Sequence, residues 1–268
     1  MTTIHCFFSG GRDSALACYI AHRVAQQRGW RFRLVHIDTT IGLQETEEYV
    51  KHYARWLRAE LVVLRPDLTF EEYAAKYPYW PHIFPPRMRW CYHKLKRVPL
   101  ERYLKQHYRR GDLLVLGVRR SESLFREREY SGTFTVKYYS DAGIQAKLWL
   151  PLLHVADDAL VELIKQFGIP ESPVWRIGMS GECFCLAGAT KNNVIRAVKT
   201  HPELAERLIK IDDVIHKHRK KGESYPIFLK KEKMRLKTWL QDIMRRPPPL
   251  EPESDKYVGK SCQGNCMI

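Results

Sequence analysis

The stretch Ile4-His5-Cys6-Phe7-Phe8-Ser9-Gly10-Gly11-Arg12-Asp13-Ser14 decides the fold. Its first five residues form a short apolar run that reads as a buried strand. After it come Ala15, Leu16, Cys18, Tyr19, Ile20 and Val24, apolar residues at helical spacing. The six residues Ser9 to Ser14 therefore make a strand-to-helix turn. Two adjacent glycines let the main chain approach a ligand and take positive φ. The two serines and the amides of the first helical turn can donate to phosphate oxygens, and the helix dipole favours an anion there. An ordinary turn of this kind needs one glycine and one capping acid, so the stretch exceeds the structural requirement. No Gly-Lys-Ser/Thr follows at the spacing of a Walker A loop.

The chain continues in the same rhythm. Asp13 to Gln27 reads as a helix, closed near Gly29, and Phe32 to Ile37 as a strand ending in Asp38-Thr39-Thr40. Glu45 to Leu57 reads as a helix and Glu60 to Leu64 as a third strand. Such alternation predicts an α/β fold, a parallel twisted sheet flanked by helices, with ligands beyond the carboxyl ends of the strands. Pro66 to Trp90 breaks the pattern. It carries Tyr73, Tyr77, Tyr79, Trp80, Phe84 and Trp90, broken by Pro78, Pro81, Pro85 and Pro86, and is read as a long loop that either stacks bases or packs over the sheet as core. Lys94 to Gln106 is helical. Asp112 to Gly117 is an apolar strand delivering Val118-Arg119-Arg120, and Thr133 to Tyr139 alternates like a strand. The apolar run Leu148 to Leu152 follows, then a helix from Asp157 with Gly168 past its end. Three further helices are predicted, Asn192 to Lys199, Pro202 to His218 and Lys230 to Met244. Pro247-Pro248-Pro249 then ends the folded part.

The formal net charge is +15, and residues 191–246 hold 16 Lys/Arg against 7 Asp/Glu. Such a field attracts polyanions, nucleic acid first. Lys217-His218-Arg219-Lys220-Lys221 and the basic stretch Lys230 to Lys237 read as backbone contacts or as a solvated helix face. No apolar run approaches the ~20 residues of a membrane span. The start Met-Thr-Thr-Ile-His has neither the basic segment nor the apolar stretch of a signal peptide, so a cytoplasmic protein is expected.

Ser-Gly-Gly-x-Asp-Ser resembles the PP-loop of the ATP-pyrophosphatase superfamily, which has the adenine nucleotide alpha-hydrolase-like fold. More fragments resemble its phosphoadenylyl-sulfate reductase branch, in this order: Asp38-Thr39-Thr40 with Glu45-Thr46, Arg89-Trp90-Cys91 with Lys94-Leu95-Lys96 and Pro99, Gly117-Val118-Arg119-Arg120-Ser121-Glu122-Ser123, Trp149-Leu150-Pro151-Leu152, and Ile169-Pro170 with Pro173. The resemblance covers residues 1 to about 190, which it makes a nucleotide-binding catalytic domain. A basic helical region, 191–246, and a cysteine-containing tail, 247–268, complete the expected organisation.

The resemblance implies ATP with Mg2+ as cofactor, cleavage between the α and β phosphates, and adenylylation of an acceptor. Ser9, Gly10, Gly11, Arg12, Asp13 and Ser14 would hold the pyrophosphate end of the nucleotide, with Arg12 in place of the lysine often found there. Asp38 would position the nucleotide; its other reading is a turn acid. Arg119 and Arg120 end a strand and offer planar, bidentate donors to phosphate, the alternative being an ion pair with Glu122 or Glu127. Asp13 and Arg119 are the catalytic candidates of the main domain.

Of seven cysteines, Cys6 and Cys18 fall on apolar faces and are expected as buried thiols. In a cytoplasmic protein the others, Cys91, Cys183, Cys185, Cys262 and Cys266, suggest metal or reactive sulfur before disulfides. Several members of the branch carry a 4Fe-4S cluster, which needs four thiolates. By resemblance Cys91, Cys183 and Cys185 would supply three, with Cys262 or, as preferred here, Cys266 as the fourth. Zinc or free redox cysteines are the alternatives. The spacing departs from the reductase pattern of a Cys-Cys pair and a later Cys-x-x-Cys. Cys262 and Cys266 are also candidates to carry sulfur or to act as nucleophile, as a tail cysteine does in the reductases.

Three functions follow. The first is an ATP pyrophosphatase in nucleic-acid sulfur modification, DNA phosphorothioation before tRNA thiolation, fed by a sulfur donor such as a cysteine desulfurase. The second is a sulfonucleotide reductase. The third is a non-catalytic nucleic-acid-binding protein. The intact loop and the basic C-terminal third favour the first.

Overall fold

The structure is a computed structural model that describes residues 1–81, 89–122, 124–178, 180–187, 189–219 and 235–246; of Glu122, Leu124 and Phe125 only the main chain is considered. Phe84, Lys220, Lys221, the stretch 230–234, the proline run 247–249 and the tail with Cys262 and Cys266 lie outside the described residues.

β1 (Thr3–Phe7) leads through the glycine loop into α1 (Arg12–Arg28). The helix closes on Gly29, whose φ of 63° suits the left-handed cap. β2 (Arg31–Ile37), α2 (Gln44–Leu57) and β3 (Glu60–Leu64) follow as the sequence predicts. The segment from Pro66 contains a short helix, α3 (Phe70–Lys76), not expected from its prolines and aromatics. Its signal was present as a capping box: Thr69 Oγ1 accepts from the Glu72 amide and the Glu72 carboxylate accepts from the Thr69 amide. The predicted helix at Lys94 begins as a π-helical turn, Tyr92–Arg97, and continues as α4 (Val98–His107). Next come β4 (Leu113–Val115), α5 (Leu124–Glu129), β5 (Phe134–Tyr139), β6 (Ile144–Trp149) and α6 (Asp157–Gln166). α7 (Lys191–Thr200), α8 (Pro202–His218) and α9 (Leu236–Arg245) close the described chain.

The six strands form one sheet in the order β3-β2-β1-β4-β6-β5. All neighbours are parallel except β5 and β6. The parallel sheet that the sequence predicts gains an antiparallel edge strand here, because the four residues Ser140 to Gly143 are too few for a crossover and permit only a hairpin. The order reverses at β1: β2 lies on one side and β4 on the other. That switch point opens a crevice beyond the carboxyl ends of β1 and β4.

Alternate residues of β1 divide the interior. Ile4, Cys6 and Phe8 face a core with α1, α2 and α6, while Phe7 joins Val35, Leu100, Leu104 and Leu114 on the other side. α7, α8 and α9 share the first of these cores through Val194, Ala197, Leu208, Ile215, Trp239 and Leu240. The aromatic segment belongs there too. Trp80 and Trp90 are buried; the Trp80 indole donates to Asp212 Oδ1 (2.9 Å) and that of Trp90 to the Tyr79 carbonyl (2.9 Å). Of the two readings of this segment, core packing describes these residues. Cys6 and Cys18 are also corrected. Both are fully buried, and they are joined as a disulfide, with Cα atoms 5.7 Å apart. The close packing of β1 on the small-residue face of α1 brings them together.

Candidate active site

The loop after β1 is compact and hydrogen-bonded to itself. Ser14 Oγ donates to the Gly11 carbonyl (2.9 Å) and accepts from the Ser9 amide (3.2 Å), and the Ser9 and Ser14 hydroxyls lie 3.1 Å apart. The Gly11 amide reaches Ser9 Oγ at 3.4 Å. Gly11, the N-cap of the 17-residue α1, makes no side-chain cap hydrogen bond, and a helix N-terminus favours an anion.

Neighbouring elements fix the loop from three sides. Gly10 takes φ 81°, and a Cβ there would meet Thr46 Cγ2 at 2.9 Å. The Trp175 indole, on a 3-10 turn Pro173–Ile177, donates to the Gly10 carbonyl (2.7 Å), and the Arg12 guanidinium lies 5.6 Å from the same ring centre. Where β4 ends, Gly117 passes so near the first turn of α1 that a Cβ would stand 2.6 Å from the Asp13 carbonyl carbon and the Ser14 amide. This contact delivers Arg119. Its guanidinium is fully buried and bridges Asp13 Oδ1 and Asp157 Oδ1, with Ser121 Oγ at 3.2 Å. Asp13 and Asp157 open α1 and α6, where helix dipoles favour carboxylates. The three charges thus form one network at the crevice floor.

The sequence candidates divide accordingly. Ser9, Gly10, Gly11, Arg12, Asp13, Ser14 and Arg119 are brought together. Arg120 turns away, its amide donating to the Leu153 carbonyl (3.0 Å) and its guanidinium to the Glu127 carbonyl (3.3 Å) rather than to a carboxylate. Asp38 stands beyond β2, as expected. There it accepts from the Thr40 amide (2.8 Å) and Arg65 Nε (2.9 Å), the bonds of a turn acid. Asp157 and Trp175 were not singled out from the sequence: Asp157 read only as a helix start, and nothing local marks Trp175 as a partner of a loop far away in the chain. Thr46 was legible only as part of the Glu45-Thr46 fragment, with no sign of its contact to Gly10.

The Cys183 turn lies against the loop after β2. Thr39 Oγ1 donates to the Glu182 carbonyl (2.6 Å), Thr46 Oγ1 to the Ser180 carbonyl (3.2 Å), and the Leu43 amide to the Gly181 carbonyl (2.9 Å). Gly181, with φ 70°, approaches Thr46 so closely that a Cβ would collide with Oγ1. Lys96 pairs with Glu182 at 2.6 Å, linking the helix after Cys91 to this turn. Cys183 and Cys185 are hydrogen-bonded, and that bond, then burial, pushes the Cys183 thiol up from its ordinary range. Cys91 and Cys185 are buried. Among the described residues, however, no group of three or more His, Cys, Asp or Glu is disposed to hold a metal. Cys91, Cys183 and Cys185 belong to the same core, where Cys183 and Cys185 are hydrogen-bonded to each other. The described residues supply three free cysteines, Cys91, Cys183 and Cys185, one short of the four thiolates of a 4Fe-4S cluster. Cys266, proposed as fourth ligand, and Cys262 lie outside the described residues. For magnesium the demand is smaller, since one or two carboxylates with the nucleotide's own phosphates suffice, and Asp13 would be the carboxylate to hold it.

A cleft of about 700 Å³ opens beside the α2 start, lined by Glu45, Glu47, Glu48 and Glu203 against Lys51 and Arg207. Its four carboxylates against two cations would repel a triphosphate.

Residues 3–183 match the model of the phosphoadenosine phosphosulfate reductase domain. The chain belongs to this family. It brings the chain into the PP-loop superfamily and accounts for the order of fragments from Ser9 to Pro173. The family match ends at the Cys183 turn, so α7 to α9 lie beyond it. An uncharacterized protein of Methanocaldococcus jannaschii is 34% identical over 125 residues, 47% of this chain and 28% of that protein. The matched region spans under a third of the length of the curated relatives. Among solved structures, phosphoadenylyl-sulfate reductase from Candida auris is similar with TM-score 0.49 and 17% identity, covering 66% of this chain and 79% of that one. U34-tRNA thiolase NcsA from Methanococcus maripaludis, determined with its [4Fe-4S] cluster, is similar with TM-score 0.47 and 12% identity, over 90% and 82%. Among the described residues no helix is long and apolar enough to cross a membrane.

Proposed function

We propose that this chain is an ATP pyrophosphatase that activates an acceptor for sulfur incorporation into nucleic acid, with a DNA backbone phosphate as the first acceptor and a tRNA base oxygen as the second. One observation carries the reading: the complete Ser-Gly-Gly-Arg-Asp-Ser loop stands uncapped at the sheet's switch point, with Arg119 buried against it. Amides and hydroxyls of Ser9 to Ser14 hold the β and γ phosphates as the α–β bond breaks. The acceptor oxygen attacks the α-phosphorus, and pyrophosphate leaves into the loop. The Arg119 fork exchanges a carboxylate for phosphate oxygen and stabilises the charge that develops. The terminal sulfur of an outside persulfide, such as that of a cysteine desulfurase, then attacks the acceptor and displaces AMP; a thiol attacks the new sulfur–sulfur bond, freeing the thiolated acceptor and leaving a disulfide that an external dithiol reduces. Cys183 and Cys185, hydrogen-bonded to each other, would supply that thiol. The net charge of +15 supports a polyanionic acceptor.

The test is incubation with ATP and magnesium, with and without DNA or tRNA, measuring pyrophosphate and AMP. Release stimulated by one nucleic acid, and lost in Ser14→Ala, is the expected result; no release under any condition refutes it. Iron and acid-labile sulfide are measured on protein purified without oxygen. About four of each per chain would restore the cluster, with ligands among Cys91, Cys183, Cys185 and the tail. The family match favours a second reading, a sulfonucleotide reductase. Sulfite released from adenylyl sulfate or phosphoadenylyl sulfate in the presence of a dithiol, without ATP cleavage, would establish that instead.

A further inference from the structure

The β5–β6 hairpin leaves one face of the sheet bare. Phe134, Val136 and Tyr138 alternate along β5 and are 53%, 60% and 63% exposed. Antiparallel register sets them opposite Trp149, Lys147 and Gln145, so all six side chains share one face. The other face of the same hairpin is buried, with Tyr139, Ala146 and Leu148 in the second core. On the bare side the first core stops at Trp149, which is only partly buried against it. Phe134 stacks on Trp149 at 6.1 Å with an interplanar angle of 11°, and Lys147 Nζ lies 5.3 Å from the Phe134 ring centre. None of these six side chains is acidic.

From this we infer that the β5–β6 face is a stacking platform for unpaired bases of a single-stranded nucleic acid; the inference rests on the proposed nucleic-acid acceptor. Three observations select that occupant. Aromatic rings on an open sheet face, joined by a cation, are how sheet-based modules bind single strands, by stacking and backbone attraction together. The spacing of four residues puts Phe134 and Tyr138 about 13 Å apart along the strand, room for two nucleotides of an extended chain. The platform is also continuous with the crevice. β6 runs parallel to β4, so Trp149 stands at the carboxyl end of the sheet, and four residues later the Leu153 carbonyl accepts from the Arg120 amide, next to Arg119. A strand lying on the hairpin is led toward the loop where ATP binds. A second copy of this chain is a poorer occupant, because each copy carries the same excess of positive charge.

The test uses the full-length chain and fluorescein-labelled oligonucleotides of about 15 nucleotides, single-stranded DNA, single-stranded RNA and their duplexes, read by anisotropy at about 50 and 200 mM salt. The double variant Phe134→Ala/Tyr138→Ala should weaken single-strand binding by about tenfold or more per ring. Phe134→Tyr/Tyr138→Phe, which keeps both rings, should bind as the unaltered protein does. Both variants alter exposed positions, and circular dichroism should show the unaltered fold. Single-strand binding no tighter than duplex binding, or an alanine variant with unchanged affinity, overturns the inference. So does an unaltered protein that sediments as a dimer and becomes a monomer in the alanine variant with its oligonucleotide affinity intact. Pyrophosphate release is measured separately without nucleic acid present. Its absence in the unaltered protein would count against the proposed activity, while the binding series still judges the platform.

Discussion

Gly117→Ala places one methyl group where two main chains already touch. The new Cβ would stand 2.6 Å from the Asp13 carbonyl carbon and the Ser14 amide nitrogen, and 2.7 Å from the Asp13 carbonyl oxygen. No rotamer relieves this, because every one of these atoms is backbone in the first turn of α1. Ordinary contact begins near 3.4 Å, so either the β4 exit or the α1 start must retreat by about 0.8 Å. Overpacking of this kind costs about 1–3 kcal/mol of stability. The larger consequence falls on position: a shift approaching 1 Å in groups that hold a reacting substrate costs on the order of 100-fold in rate. The comparator is Gly29→Ala. Nothing lies within 4 Å of a Cβ at Gly29, and its φ of 63° charges alanine only the left-handed penalty, about 1–2 kcal/mol. Melting followed by circular dichroism should therefore fall by a few degrees in both variants. ATP binding by calorimetry and pyrophosphate release should collapse only in Gly117→Ala. Equal effects of the two variants on ATP, or none from Gly117→Ala, would refute the claim that this contact sets the geometry of the loop.

Arg119→Lys keeps the charge but loses the fork that reaches Asp13 and Asp157 together, and should lower pyrophosphate release by at least about 100-fold. Asp157→Asn should cost about tenfold or less, since Asp13 still holds the arginine; steady-state kinetics distinguish them. Asp212 is fully buried and accepts from the Trp80 indole and from Arg235 Nη2 (3.1 Å), so Trp80→Phe should cost about 1 kcal/mol in urea unfolding and Asp212→Ala more. His36 donates to the Phe8 carbonyl (2.8 Å), and burial holds its pKa below the ordinary 6.5 against the opposing pull of that bond and of nearby carboxylates. The unfolded chain then binds a proton that the folded chain refuses, so stability is full above pH 6.5 and falls as pH drops below it. The slope is at most about 1.4 kcal/mol per pH unit, and His36→Gln should reduce it in urea unfolding across that range. Oligonucleotide affinity should fall steeply with salt, and reversing Lys220, Lys221, Lys231 and Lys233 should flatten that dependence for every sequence alike, as anisotropy titrations would show.

The first half of the fold was legible because its signals are local. A buried apolar run, a glycine loop and a helical repeat lie within 24 consecutive residues, and β3 and α8 fall within the limits that periodicity sets, Glu60–Leu64 and Pro202–His218. The family resemblance was legible for the same reason, as short motifs in a fixed order. Where local signals conflicted, the reading failed. The prolines and aromatics before Trp90 concealed α3, although its capping box was present. Periodicity showed β5 as a strand but could not give its direction, which the brevity of the turn to β6 imposed.

The sequence by itself determined the strand, loop and helix around Ser9 to Ser14, the candidate arginines after β4 and the basic character of the C-terminal third. Only the tertiary structure decided which of these residues meet. Gly117 against Asp13, Arg119 between Asp13 and Asp157, Trp175 on the Gly10 carbonyl and the Cys183 turn on Thr46 join residues 38 to 165 positions apart. The same packing turns Arg120 to the Leu153 and Glu127 carbonyls while Arg119 meets two carboxylates, and it joins Cys183 to Cys185. Spacing along a chain fixes the faces of single elements, whereas contacts between distant elements depend on the strand order of the sheet and on side-chain volumes at every layer of the core.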